Sequence, residues 1–205
     1  TQSRSSAASD VYKRQVQTGT VRASVAANAR RQDVRAFFAH AEFGYSPALP
    51  GKPRISALFD LASGDDPRSP DRFARFDTLF GPRRFELGPS GIFGPLARTN
   101  LLAAGLRGEI APAPRWDVMT LWRPAWVHNR RDRFGNNGPV DPKGRSGRFA
   151  GHMVEVRLGH WLIEKRLRLE AGAAILTTGQ LLDEAPNATG FGDTRYAYGQ
   201  MVVNF

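Results

Sequence analysis

The chain contains no cysteine among its 205 residues, which excludes disulfide frameworks and thiolate metal sites without fixing a compartment. It has no run of 18 apolar residues and therefore encodes no transmembrane helix. Acidic residues are few beside basic ones: 19 Asp and Glu stand against 29 Lys and Arg, for a formal charge of +10. Such an excess points to an anionic partner, and the candidates are nucleic acid, lipopolysaccharide phosphate and an acidic solute. Nucleic acid is disfavoured, because the basic residues alternate with acids inside extended segments and form no stripe with aromatics. The histidines His40, His128, His152 and His160 lack pairwise ligand spacing, so no metal or cofactor is implied.

What the sequence has in quantity is period-two alternation, in eight segments separated by turn chemistry. The first sets Val21, Ala23, Val25, Ala27 and Ala29 against Arg22, Ser24, Ala26, Asn28 and Arg30. The second sets Phe37, Ala39, Ala41, Phe43 and Tyr45 against Ala36, Phe38, His40 and Glu42. The third has Ile55, Ala57, Phe59 and Leu61 opposite Arg54, Ser56, Leu58 and Asp60, and the fourth has Leu102, Ala104, Leu106 and Ile110 opposite Ala103, Gly105, Arg107 and Glu109. In the fifth, Trp116, Val118, Thr120, Trp122 and Trp126 oppose Asp117, Met119, Leu121 and Arg123; Pro124 cannot donate to a ladder and predicts a bulge or an early end. The sixth places Val154, Val156 and Leu158 against Met153, Glu155 and Arg157, and the seventh places Leu167, Leu169, Ala171, Ala173 and Ile175 against Arg168, Glu170, Gly172 and Ala174. The last runs to Phe205, with Val203, Met201, Gly199 and Ala197 on the apolar face.

One apolar and one wettable face per strand is what a lipid-out, water-in wall requires. With no helix to span a bilayer, a closed barrel is the remaining spanning structure, because every backbone N–H and C=O must be paired within the sheet. The fold class predicted is an all-β, antiparallel transmembrane β-barrel of about eight strands, closed on itself with a filled interior or left as an open curved sheet. The alternative is a soluble or surface β-sandwich binding an anionic ligand, which also alternates but whose core the many alanines on the apolar faces would fill poorly.

Residues 5–15 look like the in-frame translation of a transposon-type sequencing adapter. Residues 1–15 are accordingly set outside the fold, and residues 16–205 are expected to form the C-terminal part of an outer-membrane barrel. Arg4, Lys13, Arg14 and Asp10 fall in the excluded stretch, which leaves about +8.

The terminal Phe205, with Val203 and Met201 behind it, resembles the C-terminal insertion signal that the barrel assembly machinery reads in bacterial outer-membrane proteins. Taking that end as periplasmic, parity places residues 63–98, 128–148 and 179–193 outside as long loops. The links at residues 47–51, 112–114 and 160–165 fall inside as short turns, and the link at residues 30–33 alone is external without being long. Tyr45, Trp116, Trp161 and Phe205 then map to one interface, and Phe37 and Trp126 to the other, as an aromatic belt would. The long loops, rich in Gly and Pro, are expected to fold over or into the mouth.

Four motifs in order, Asp60-Leu-Ala-Ser-Gly-Asp-Asp66, Phe76-Asp-Thr-Leu-Phe80, Gly151-His-Met-Val-Glu155 and Tyr198-Gly-Gln-Met-Val-Val-Asn-Phe205, resemble the alginate export family of outer-membrane porins. The resemblance covers the chain from about Val34 onward. It implies passive passage of an anionic or polar solute, such as an acidic polysaccharide, through an Arg-lined pore, with no chemistry catalysed. It also implies outer-membrane lipid and lipopolysaccharide as surroundings. The family tends to carry an acidic residue where this chain has Met153.

The residues themselves support such a pathway in part. Inward parity collects Arg22, Arg54, Arg107, Arg123, Arg157 and Arg168, interleaved with Glu42, Asp60, Glu109, Glu155 and Glu170. Carboxylates on adjacent strands can hold guanidiniums in fixed orientation and leave donors aimed at a passing carboxylate, and charged rings set anion preference in pores. The competing reading is that these charges neutralise one another and merely keep the interior wet. Asp60, Asp65 and Asp66 could offer oxygens to calcium, but the Asp-x-Asp-x-Asp spacing with a closing Glu is missing. A hydrolase reading would use His152 with Ser146, yet no nucleophile motif surrounds that serine.

Overall fold

A computed structural model of the chain describes residues 7–78, 87, 96–190 and 192–204. Phe205, the residue proposed to carry the insertion signal, lies outside the described residues, as do Leu79 and Phe80 of the second motif.

The alternating segments form one antiparallel meander. Its strands are β1 (Ala7–Arg22), β2 (Arg31–Ser46), β3 (Arg54–Ala62), β4 (Arg72–Phe73), β5 (Leu101–Ile110), β6 (Trp116–Trp126), β7 (Phe149–Ile163), β8 (Leu167–Thr178) and β9 (Thr194–Val203). Each long strand pairs with the next in the order β1-β2-β3-β5-β6-β7-β8-β9, while the two-residue β4 adds in parallel to the free upper part of β2. One short helix, α1 (Gln180–Glu184), interrupts the last long link. Among the described residues no pairing joins β1 to β9, so the sheet is an open wall, all-β and antiparallel, in keeping with part of a barrel.

The first strand departs from the sequence expectation. Residues 23–30 form the turn, not a strand, and β1 runs back to Ala7 through the stretch set aside as adapter. Arg22, expected inward, stands directly opposite Arg31. In an antiparallel pair opposed residues share a face, and Arg31 lies on the Phe37 side. Arg22 is therefore outward: moving the turn moved its parity. The same register puts Asp10 opposite Phe43 and Arg14 opposite Ala39 on that outward face.

From β2 to β9 the parity is as expected. One face is exposed and apolar, with Phe43, Ile55, Phe59, Leu106, Val156 and Met201 each about half or more accessible. The opposite face is covered, with Ala36, Phe38, Ser56, Leu58, Asp60 and Ala103 nearly inaccessible. Apolar exposure on this scale, continuous across a whole sheet face, is far beyond what monomeric soluble proteins present to water. At Pro124 the sheet behaves as its missing N–H requires: a register shift follows between Ala125 and Trp126.

Connections differ sharply at the two ends. Residues 23–30, 47–53, 111–115 and 164–166 are short links; residues 63–100, 127–148 and 179–193 are long ones and all lie at one end. The end with short links alone is the turn end, and the other, where the short β1–β2 turn sits among the long links, is the loop end. Aromatic pairs mark both: Trp116 stacks on His160 at 4.1 Å at the turn end, and Trp126 packs on Phe149 at 5.5 Å at the loop end.

Candidate functional site

The covered face of the wall has two halves. In the loop-end half, side chains from the long links pack down on the sheet. Phe76 and Leu96 from the first loop, Val127 and Phe134 from the second and Leu181 from α1 join Ala36, Phe38, Leu101, Met119, Leu121 and Met153 in one apolar cluster. Phe76 lies 5.5 Å from Phe38, and Arg98 sits 5.6 Å above the same ring. The loops thus form a cap that buries the inner face where its strand residues are apolar.

Polar latches hold the cap. Ser63 Oγ accepts the Phe37 N–H at 2.9 Å, the Gly64 N–H reaches His128 Nδ1 at 3.3 Å, and the Asp65 N–H reaches Asp132 Oδ2 at 2.7 Å. Asp65 Oδ1 in turn accepts the Ala74 N–H at 2.9 Å. Asp132 also takes Arg75. The fully buried Asn100 donates from Nδ2 to the carbonyls of Asn129, Asp132 and Arg133 and accepts the Asn129 N–H. A side chain at position 64 would meet Asn100 Oδ1 at 2.0 Å, so only glycine lets the two ends of the first loop close on each other. The Ser-Gly-Asp-Asp motif is thereby a loop latch. Asp141 organises the second loop in the same way, accepting from the N–H groups of Lys143, Arg145 and Ser146 and from the Ser146 hydroxyl. Burial works against ionising Asp141, but those amides outweigh it and hold its carboxyl well below the usual range.

The turn-end half is charged. Glu42 accepts from both Arg54, at 3.1 Å, and Arg107, and both guanidiniums also approach Glu109, at 3.6 and 3.4 Å, closing a ring of two arginines and two glutamates over β2, β3 and β5. On the far side Arg168 reaches across Gly159 to grip Asp117 with two bonds of 2.6 and 2.8 Å, lies 3.6 Å from Glu170 and stacks over Trp161. Glu170 is further held by the Tyr198 hydroxyl at 3.1 Å and Gln200 at 3.0 Å. Between the halves, Asp60 bonds His40 at 2.7 Å and lies 3.8 Å from Arg123, all three nearly inaccessible. Bidentate, charge-assisted contacts of this kind fix orientation as well as energy.

The structure places Arg54, Arg107, Arg123, Arg157, Arg168, Glu42, Asp60, Glu109, Glu155 and Glu170 on the one covered face; Arg22 alone of the expected set is elsewhere. Asp117 joins them through register. Set against the arginines, six carboxylates leave the wall without a surplus of positive charge. Arg157 is the exception in its pairing: it makes no ion pair among the described residues, and its Nε is shielded from solvent without a hydrogen-bond partner. Met201 and Val203, proposed with Phe205 as the insertion signal, are exposed on the outward face.

Other candidates separate. Asp60, Asp65 and Asp66 bind different partners, Asp66 being tied to Arg68, whose guanidinium and amide hold it down to about 2. Ser146 is committed to Asp141 and the Glu184 carbonyl, while His152 stacks on Trp122 at 5.8 Å and meets Phe149 at 5.0 Å. Sequence reasoning missed Asn100, Asp132 and the apolar cap. The only sequence signal for the Asp141 turn was its Asp-Pro-Lys-Gly run.

Comparison with known families decides the class. The family model described as Alginate export matches residues 12–191. The chain belongs to the alginate export family. That makes it an outer-membrane β-barrel protein of a transport family, which is a channel family and not an enzyme family. Among curated proteins no relative matches the chain.

Proposed function

We propose that this segment is part of the wall and cap of an outer-membrane channel that passes an anionic or polar solute, an acidic polysaccharide such as alginate being the type that the family's description suggests. The observation that carries the reading is the division of the sheet: a continuous apolar face outward, and inward a charged half in which carboxylates clamp arginines in fixed orientations. Because each guanidinium has five donors, Arg54, Arg107 and Arg168 keep N–H groups available after pairing.

In this reading the turn end with Met201 and Val203 faces the periplasm, the capped end faces outward, and lipid and lipopolysaccharide cover the apolar face, inserted there by the barrel assembly machinery. Residues 1–15 are foreign to the wall. Their support is physical: β1 is exposed throughout residues 7–15, and its register would press Asp10 and Arg14 against hydrocarbon.

The test is reversal potential in a salt gradient across a planar bilayer holding the intact channel. Anion preference is expected from the oriented guanidinium donors and not from net charge, since the wall has no positive surplus, and Arg54→Glu with Arg157→Glu should lower it. Unchanged selectivity in the double variant would remove these residues from the pathway.

A further inference from the structure

The outward face of β2 changes character at one point. From Tyr45 to Phe37 its outward residues, Phe43, Ala41 and Ala39 included, are apolar, and a stretch of that length is what a tilted strand needs to cross the hydrocarbon of a bilayer. The next outward residues toward the loop end are Arg35, Asp33 and Arg31. Register brings Arg22 of β1 directly opposite Arg31 and sets Arg72 of β4 beside Asp33. Arginines from three strands therefore stand together at the loop-end edge of the apolar band, all of them exposed.

Their counter-charge is missing. On the inner face Glu42, Glu109, Asp117 and Glu170 hold the arginines beside them. Among the described residues Asp33 is the one carboxylate paired into the outward patch, and the nearby Asp71 already lies 3.5 Å from Arg30. Arg22, Arg31, Arg35 and Arg72 make no ion pair and no side-chain hydrogen bond among the described residues. Like charges directly opposite one another, as Arg22 and Arg31 are, weaken a sheet; an anion lying over them reverses the sign. Arg31 and Arg35 are about 13 Å apart along the strand, so the patch is wide enough for more than one phosphate. Thr18 and Thr20, opposite Arg35 and Asp33, add exposed hydroxyls.

We propose that Arg22, Arg31, Arg35 and Arg72 form a docking surface for the phosphorylated sugar head of one lipopolysaccharide molecule, whose acyl chains lie on the apolar residues below. Guanidiniums take phosphate oxygens through paired N–H bonds. Charge and position select this occupant. The patch lies beyond the apolar band and not within it, several arginines match several phosphates on one molecule, and Phe37, Ala39, Ala41 and Phe43 give the acyl chains a continuous apolar track. A glycerophospholipid with a single phosphate matches the patch less well. The surface rests on the orientation given above, with the loop end outward, and is independent of what the pore passes.

Native mass spectrometry of the intact channel in detergent, titrated separately with bis-phosphorylated lipid A, dephosphorylated lipid A and phosphatidylglycerol, tests it. Bis-phosphorylated lipid A should bind best, and removing its phosphates should abolish the preference. Arg31→Gln with Arg35→Gln should weaken lipid A binding about thirtyfold, the loss of two interfacial charges. Arg31→Lys with Arg35→Lys, which keeps the charge and loses the fork, should lose less. Lys165→Gln with Arg166→Gln, an equal charge change at exposed positions of the turn end, should leave binding as it is. Unchanged lipid A binding in the Arg31 and Arg35 glutamine pair overturns the surface, as does an equal loss in the turn-end pair or equal binding of phosphatidylglycerol. Labelling of Asn137→Cys, at an exposed loop position, separates this failure from that of the orientation. A membrane-impermeant thiol reagent that reaches it in intact cells upholds the loop end as external; one that reaches it only after the outer membrane is opened overturns the orientation and the surface together.

Discussion

Two valines give the sharpest test of what covers the exposed face. Val156 and Val203 are almost equally accessible, 47% and 48%, and both point outward. They differ in depth. Val156 is the central residue of the fifteen in β7, with the Trp126–Phe149 pair toward one end and the Trp116–His160 stack toward the other, whereas Val203 closes β9 at the turn end. A strand of that length, tilted as barrel strands are, rises about 39 Å across the bilayer, and the apolar band occupies about 25 Å of it. An arginine at position 156 reaches about 7 Å toward water, which leaves its guanidinium roughly 5 Å inside the hydrocarbon even when fully extended. Val156→Arg should therefore destabilise the intact channel by about 2–4 kcal/mol in phospholipid vesicles, and Val203→Arg by no more than about 1 kcal/mol. Equilibrium denaturant unfolding in vesicles, with tryptophan fluorescence as readout, measures both. On a soluble sheet the two valines are equivalent surface positions, and each change would stay within about 0.5 kcal/mol. Equal effects at the two positions would refute the depth argument.

Two other outcomes follow from the cap. Asn100 holds the second loop through four hydrogen bonds while adopting φ of 46°, a conformation that asparagine tolerates better than alanine. Asn100→Ala should loosen that loop by about 2–4 kcal/mol, seen as lost hydrogen-exchange protection at residues 127–134 with β7 and β8 unchanged. His128 is held below its ordinary range by burial and then by Arg148. Its neutral form is thus favoured in the folded cap, so its contribution is complete above the unfolded value of about 6.5 and is lost as pH falls below it. Proteolysis of the loops should accelerate between about pH 7 and pH 5, and His128→Gln should flatten that response. Asp66, already at about 2, takes no part until far lower pH.

The sequence made the wall legible wherever the two faces differ strongly in polarity. On β2 to β9 lipid-facing and inner residues separate by parity, and a strand with one hydrocarbon face has only one acceptable register. It failed at the first strand because Val21, Ala23, Val25, Ala27 and Ala29 alternate with residues too small to commit to either face. Asn28 was the single turn signal there. The ion pairs were half legible. Parity put Arg54 and Glu109 on one face, and they are direct cross-strand partners, but Arg168 meets Asp117 two strands away over Gly159, which parity alone does not reveal. The cap was illegible in detail. Phe76, Val127 and Leu181 look like scattered apolar residues in polar loops until the chain folds back onto Phe38, Leu121 and Met153.

The absence of cysteine offers the most direct test of the central claim, that hydrocarbon covers the apolar side of this sheet. Single cysteines placed in turn at positions 153 to 158 of β7, labelled with an environment-sensitive fluorophore in the intact channel in vesicles, should alternate. Positions 154, 156 and 158 should be quenched by lipid-borne quenchers, while 153, 155 and 157 are shielded from them. Uniform aqueous quenching along the strand, or a protein that stays folded in buffer without lipid or detergent, would contradict the account.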